Sequence, residues 1–234
     1  MSITIDAQLQ TPQDYEEFCR LMGVMMDYTD PENIVIDDGF GGAVITTSVD
    51  FRSCRNLLVA GMQACGRTTF LKQLLRSALA TYPDVKIIVM DISHINEYED
   101  YKPHVAVMYE IEECLNTLIG LSETDTEEKV FVIIEDFPLL FLDKPEMFTS
   151  ALRRITNYRP NTHIFMATSL MRPTFISEDI KKMFSDRIVF KTDDSNQSAW
   201  LIGDGAASSI EFRSEFIWYD AITDTQKKFI NPRQ

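Results

Sequence analysis

Two glycines separated by four residues, followed by a cation and two hydroxyl residues, form the most informative stretch of this sequence. The stretch reads Gly61-Met62-Gln63-Ala64-Cys65-Gly66-Arg67-Thr68-Thr69. Glycines let the backbone turn so that successive N–H groups face a phosphate, and a hydroxyl after them can hold Mg²⁺. The spacing is that of a P-loop in which Arg67 replaces the usual lysine. The alternative is an ordinary strand–turn–helix junction capped by Thr68.

Two carboxylates form the second candidate group. They follow the apolar run over residues 130–134, as Glu135 and Asp136. In P-loop enzymes one carboxylate of this strand lies near Mg²⁺ and a following glutamate lies near the attacking water. Here the order is reversed, with Glu135 on the metal side and the shorter Asp136 in the base position. A misplacement of about 1 Å can cost on the order of 100-fold in rate. The pattern predicts a degenerate Walker B motif, or else a strand end with a solvated acidic turn.

The end of a further apolar run, residues 163–167, completes the predicted site. Thr168 and Ser169 follow it, and either could contact a γ-phosphate or simply cap the strand. Arg67 keeps the positive charge of lysine but carries a wider planar group, so we expect nucleotide binding to survive better than phosphoryl transfer. The predicted ATP ligands are Gly61, Ala64, Cys65, Gly66, Arg67, Thr68, Thr69 and Ser169, the predicted Mg²⁺ ligands are Thr68 and Glu135, and the predicted, impaired catalytic pair is Glu135 and Asp136.

Apolar strand patterns that alternate with helical patterns must position these residues. Near-continuous apolar strands between helices indicate an α/β fold with a mostly parallel sheet and helices on both faces. The predicted strands cover residues 57–60, 85–91, 105–108, 130–134, 163–167, 187–191 and 216–219, and the predicted helices cover 68–81, 111–122, 147–158 and 176–184. Residues 1–53 are expected to form an extension, with a helix over 12–27 and a β-hairpin over 34–45, and residues 54–234 the P-loop domain.

Size and charge narrow the function classes. The chain has 234 residues and a formal net charge of −14. A non-specific nucleic-acid binder needs a basic face, so we expect no nucleic-acid partner. No apolar run approaches the roughly 20 residues that span a bilayer. We therefore expect a soluble domain, compatible with a place in a larger, membrane-anchored chain.

The order of these landmarks resembles a known family, the FtsK/SpoIIIE-type P-loop ATPase domains of RecA-like fold. Within it, the chain is most similar to the last ATPase domain of the type VII secretion motor EssC or EccC. The joint order over about residues 30–205 carries the resemblance, through segments 34–45, 56–61, 89–91, 101–105, 132–137, 163–169 and 185–190. The sequence departs from the family at Arg67, at the reversed carboxylates and at Ser169, where the family has glutamine.

This resemblance implies a degenerate ATPase domain that binds ATP and Mg²⁺ weakly or structurally and helps to recognise or regulate export of secreted proteins. It implies as partners the other ATPase domains of the same motor chain and secreted helical-hairpin (WXG100-like) substrates. It also implies a ring oligomer in the full-length protein and a place on the cytoplasmic side of the membrane. Two alternatives remain: a slow but active ATPase, and an FtsK-like DNA translocase, which the charge of −14 disfavours.

Overall fold

The structure is a computed structural model that describes residues 33–37, 46–50, 56–81, 85–213 and 215–230. Its strands are β1 (Asn33–Asp37), β2 (Thr46–Asp50), β3 (Asn56–Ala60), β4 (Lys86–Asp91), β5 (Ala106–Met108), β6 (Val130–Glu135), β7 (Thr162–Thr168), β8 (Asp186–Phe190), β9 (Glu215–Asp220) and β10 (Thr225–Ile230). Its helices are α1 (Arg67–Thr81), α2 (Ile111–Glu123), α3 (Pro138–Asp143), α4 (Pro145–Tyr158), α5 (Glu178–Met183) and α6 (Ser195–Ile202).

Eight of the strands form one sheet in the order β10-β9-β8-β3-β7-β6-β4-β5. The pairs from β8 through β5 are parallel, whereas β9 pairs antiparallel with both β8 and β10. The mostly parallel sheet is therefore as predicted. Because β3, β7, β6 and β4 run parallel, their carboxyl ends lie at the same edge of the sheet. Ligands bind at this edge in such folds.

Helices cover both faces of this sheet. Successive side chains of β3 point to opposite faces of the sheet. Leu57 and Val59 pack in the core that contains α1, while Leu58 and Ala60 pack in the core that contains α2 and α4. All five residues of β3 are buried. Burial on both faces explains why residues 57–60 form a continuous apolar run rather than an alternating pattern.

Three elements were not predicted from the sequence. The tail after β9, in which the sequence shows only polar character and no strand was predicted, forms β10, which pairs with β9 from Thr225↔Asp220 to Ile230↔Glu215. Helix α3 precedes the predicted helix that is now α4. Helix α6 begins after Asp194, whose carboxylate accepts from two backbone N–H groups, and ends at Gly203 with φ 89°. Both features are standard helix boundary signals, so the sequence did contain a cue for α6.

The N-terminal predictions are only partly visible. Strands β1 and β2 pair antiparallel, with Asn33 opposite Asp50. This pairing supports a hairpin, and the part of its second strand that the structure describes is Thr46–Asp50. The predicted helix over 12–27 and residues 38–45 lie outside the described residues, and the boundary at residue 53 stays a prediction.

Candidate functional site

The glycine-containing turn after β3 is fastened to the sheet at its first two residues. The N–H of Gly61 donates to the carbonyl of Thr168 over 3.3 Å, and the N–H of Met62 donates to the carbonyl of Lys191 over 2.8 Å. A Cβ at Gly61 would lie 2.6 Å from the Cβ of Phe190. Since real side chains do not approach so closely, the first glycine is required by packing against the end of β8.

The turn delivers the chain into α1 with its first amides exposed to the loop. Gly66 has φ 110°, a conformation that favours glycine, and Ala64 has φ 60°. The first helical bond runs from the N–H of Phe70 to the carbonyl of Gly66 over 2.9 Å. The N–H groups before Phe70 therefore precede the helical ladder. With no acidic residue in the first turn of this 15-residue helix, its positive end is set up for an anion.

Aromatic rings and a thiol support the turn from beneath. The ring centre of Phe70 lies 6.1 Å from that of Phe190 and 5.6 Å from that of Phe216. Cys65 is fully buried. Burial raises the pKa of its thiol, and the nearby Arg67 charge and backbone hydrogen bonds only partly oppose that effect. Cys65 thus packs as an apolar group, and only its backbone can take part in ligand binding.

The predicted metal-side pair is brought together. Glu135, at the end of β6, is 2% exposed. It accepts a hydrogen bond from the phenolic hydroxyl of Tyr98 over 2.6 Å. Burial raises the pKa of the Glu135 carboxyl, and this effect is opposed in order by the Tyr98 hydrogen bond, the Arg67 charge and the nearby Thr68 side chain. The hydroxyl and carboxylate expected to flank Mg²⁺ therefore lie near one another.

The second carboxylate faces the loop cation. Arg67 Nη1 lies 3.4 Å from Asp136 Oδ1, with 9% of the Arg67 side chain exposed and 33% of the Asp136 side chain. The Ser169 hydroxyl lies 3.5 Å from the same oxygen. The Nε of Arg67 is buried and has no hydrogen-bond partner among the described residues. Arg67 therefore retains a buried N–H group that could donate a hydrogen bond to a bound anion.

Thr168 ends β7 and Ser169 follows it, and of these two hydroxyl residues only Ser169 faces this cluster. The Thr168 hydroxyl accepts from the N–H of Leu170 over 2.9 Å, and Thr168 is fully buried. Thr168 therefore caps its strand, which was one of the two readings of the sequence. Ser169 instead lies beside Asp136, so it is the residue of this pair that could contact a terminal phosphate.

Three residues of the site were missed by the sequence reasoning: Tyr98, Asp91 and Arg213. Asp91 is fully buried, pairs with Glu135 across β4 and β6, and accepts from the N–H groups of Ile95 and Asn96 over 3.2 and 2.9 Å. It thereby closes the turn that carries Tyr98. An acidic residue at the end of an apolar strand could have indicated Asp91, whereas no local signal indicates Tyr98 or Arg213.

The donor set suits a nucleotide–metal ligand better than a metal alone. No group of three or more His, Cys, Asp or Glu residues that could hold a metal occurs in the part of the chain that the structure describes. Mg²⁺ is commonly held by one or two protein oxygens together with phosphate oxygens and water. Thr68 and Glu135 match that arrangement, and the buried Nε of Arg67 matches an anion.

None of the described helices combines the length and the apolar character that crossing a membrane requires.

Comparison with known proteins identifies the fold. Neither protein-family models nor curated protein sequences give a match to this sequence. Among solved structures, the pCW3 conjugation coupling protein TcpA with ATPγS aligns with a TM-score of 0.71 and 14% identity over 88% of this chain and 67% of that chain. The cytoplasmic domain of the type VII secretion ATPase EccC of Thermomonospora curvata aligns with a TM-score of 0.72 and 15% identity over 90% of this chain and 30% of that chain.

A further EccC structure from Thermomonospora curvata, with ATPases 2 and 3 and a signal sequence peptide, aligns with a TM-score of 0.65 and 16% identity over 86% of this chain and 40% of that chain. The chain therefore has the fold of a P-loop ATPase domain. The resemblance to FtsK/SpoIIIE-type ATPase domains such as those of EccC is confirmed at the level of the fold. The chain spans 67% of the TcpA chain but only 30% to 40% of the two EccC chains.

Proposed function

We propose that this domain binds ATP with Mg²⁺ at the turn between β3 and α1, hydrolyses it negligibly, and serves as a degenerate ATPase module of a type VII secretion motor. One observation carries the proposal. Arg67 and Thr68, at the start of α1, lie against Asp136 and Glu135, while Arg67 keeps a buried Nε without a partner among the described residues. A cradle of amides beside a buried guanidinium N–H that has no partner among the described residues suits an anion.

Binding draws on three features of the chain. The positive end of α1 and its first-turn amides attract phosphate oxygens. Arg67 adds a positive charge beside these amides. Thr68 and Glu135 would hold Mg²⁺, which neutralises charge on the β- and γ-phosphates when bound.

Hydrolysis is weakened by the same residues. In the base position, Asp136 Oδ1 contacts Arg67 Nη1 at 3.4 Å and the Ser169 hydroxyl at 3.5 Å. The oxygen that would direct water is thus engaged with the loop cation. On the metal side, the longer Glu135 carboxylate is engaged by the hydroxyl of Tyr98. Both carboxylates are therefore displaced from the roles that efficient phosphoryl transfer needs.

The setting of the domain is inferred from its fold neighbours. EccC and EssC appear among the neighbours as structures that contain ATPases 2 and 3, and one EccC structure contains a signal sequence peptide. By analogy, this domain would act beside other ATPase domains of one motor chain, in a ring on the cytoplasmic side of the membrane. Its substrates would be secreted helical-hairpin (WXG100-like) proteins. The proposed unit is residues 54–234, with residues 1–53 as an extension.

Thermal unfolding with and without ATP–Mg²⁺ tests the binding proposal. At a hundredfold excess over Kd, ligand stabilises the folded state by about 2.7 kcal/mol, which corresponds to roughly 5–10 °C for a domain of this size. Arg67→Ala should reduce the shift strongly, whereas Lys182→Ala, which removes an exposed charge on α5, should not. An unchanged melting temperature at millimolar ATP–Mg²⁺ would refute nucleotide binding.

A slow active ATPase is the second candidate, because Asp136 and Ser169 still lie at the loop. Phosphate release that is above background and disappears in Asp136→Asn would favour it. Release that is indistinguishable from background, together with the thermal shift, would favour the degenerate module.

A further inference from the structure

We propose that Phe212 is the stacking platform for the base of the bound nucleotide and that Arg213 fixes this platform to the phosphate loop. The inference rests on the proposed function, since it assigns the base end of the same ligand. It concerns the turn of residues 211–213, which precedes β9 and takes no part in the phosphate or metal contacts described above.

The direction of the ligand follows from the two neighbours of β3. On one side lie β7 and β6, whose ends carry Ser169, Glu135 and Asp136. Arg67 and Thr68 face these carboxylates, so the terminal phosphates and Mg²⁺ belong on that side. On the other side lie β8 and β9. A nucleotide with its terminal phosphates toward β6 and β7 therefore extends its sugar and base toward β8 and β9.

The turn of residues 211–213 is attached to the loop at that second side. Arg213 Nε donates to the carbonyl of Ala64, in the middle of the phosphate loop, over 3.0 Å. Arg213 itself has φ 66°. At the other end, the N–H of Glu211 donates to the Glu215 carboxylate over 2.7 Å. A residue held between two such anchors has a fixed position relative to the phosphate loop.

Phe212 occupies that position with its ring accessible. It is 41% exposed, in contrast to Phe70, Phe190 and Phe216 beneath the loop, which are 6% exposed or less. The guanidinium carbon of Arg213 lies 5.3 Å from the Phe212 ring centre. An exposed ring on an anchored turn beside an anion cradle offers a π-face to a base, and such stacking tolerates any base because each has a π-face. The ligand class is therefore a nucleoside triphosphate held through its base by stacking.

Calorimetric titration of ATP–Mg²⁺ and of tripolyphosphate–Mg²⁺ into the same protein tests this assignment, since tripolyphosphate has no base. The wild type should bind ATP more tightly than tripolyphosphate. Phe212→Ala should weaken the affinity for ATP–Mg²⁺ about tenfold, as expected for loss of one stacked base. The affinity for tripolyphosphate–Mg²⁺ should stay unchanged. Leu142→Ala, at another exposed apolar residue, should change neither affinity.

A second variant addresses the fold of the turn. Phe212→Trp keeps a ring, so it should retain ATP affinity and show a change in tryptophan fluorescence with ATP but not with tripolyphosphate. Unchanged ATP affinity in Phe212→Ala, or an equal loss for both ligands, would overturn the base platform while leaving nucleotide binding intact. Wild-type protein that binds neither ligand would instead refute the proposed function and this inference with it.

Discussion

Tyr98 donates its phenolic hydroxyl to Glu135 over 2.6 Å, and both side chains are buried. The two residues are 37 positions apart in the sequence. Tyr98 comes from the turn after β4, whereas Glu135 ends β6, two neighbouring strands of the sheet. The bond supplies a donor to a carboxylate that burial would otherwise disfavour, and it leaves Glu135 placed to meet Thr68.

Removal of this donor should cost stability. Tyr98→Phe leaves a buried carboxylate with one donor fewer, so we expect the free energy of unfolding to fall by about 1–3 kcal/mol. We also expect the pKa of Glu135 to rise further, because a bond that favours its charged form is lost. Urea unfolding measures the first effect. Tyr101→Phe, whose hydroxyl makes only an exposed contact with Arg76, is the control; equal losses would contradict a special role for Tyr98.

Neutralising Glu135 should change the pH dependence of stability. Its pKa in the folded state is raised, chiefly by burial. The folded state therefore holds a proton that the unfolded state has released, and stability falls as pH rises from the ordinary glutamate range through the raised pKa. Glu135→Gln removes this fall and should be more stable than the wild type above that range.

Urea midpoints between pH 4 and pH 8 measure this difference. The plot of urea midpoint against pH for Glu112→Gln, at an exposed position on α2, should be parallel to that of the wild type. If the Glu135→Gln curve also ran parallel, the buried carboxylate would not be the source of the slope.

Restoring the usual residue order should restore catalysis. The triple variant Arg67→Lys, Glu135→Asp, Asp136→Glu returns a compact ammonium to the loop, a short carboxylate to the metal side and a longer one to the base position. We expect phosphate release to rise on the order of 100-fold, the effect of correcting a displacement of about 1 Å. Arg67→Lys alone should give little gain, because Asp136 remains too short.

Steady-state phosphate release measures this recovery. Addition of Thr68→Ala to the triple variant should abolish it, because the hydroxyl that meets the metal-side carboxylate is lost. A large gain from Arg67→Lys alone would show that the loop cation, rather than the carboxylate order, limits turnover.

Arg187 should contribute to the stability of the fold. It is 6% exposed, and its guanidinium donates to the carbonyls of Phe184, Leu201 and Lys181 over 3.1, 2.6 and 3.1 Å. Burial lowers its pKa. Arg187→Met strands these carbonyls at the ends of α5 and α6, so we expect a loss of about 3 kcal/mol.

Denaturant unfolding of Arg187→Met and of the exposed Arg172→Met separates the two arginines. The free energy of unfolding of Arg172→Met should lie within about 0.5 kcal/mol of that of the wild type. Comparable stability of both variants would contradict the structural role of Arg187.

Local sequence patterns predicted the central strands of the sheet but not the strand that depends on pairing at its edge. Strand β3 is predicted because both its faces are buried, which makes its residues 57–60 uniformly apolar. Strand β10 was missed because its sequence, Thr-Gln-Lys-Lys-Phe-Ile, lacks an apolar run. Its strand conformation depends on backbone pairing with β9, which a sequence pattern does not record.

For the candidate site, the sequence by itself determined the turn and its residues. Gly61, Gly66, Arg67 and Thr68 are spaced for a phosphate because a tight turn into a helix is a local property of consecutive residues. The reversed carboxylates, Glu135 and Asp136, are equally local. These local features are what predict a nucleotide site at this turn.

Only the tertiary structure decided what surrounds that turn. The sheet order places Tyr98 against Glu135 and Arg213 against Ala64, across separations of 37 and 149 residues. Whether two distant polar groups meet depends on the path of the whole chain and on burial that leaves each group needing a partner. Neither quantity is written in the spacing of neighbouring residues.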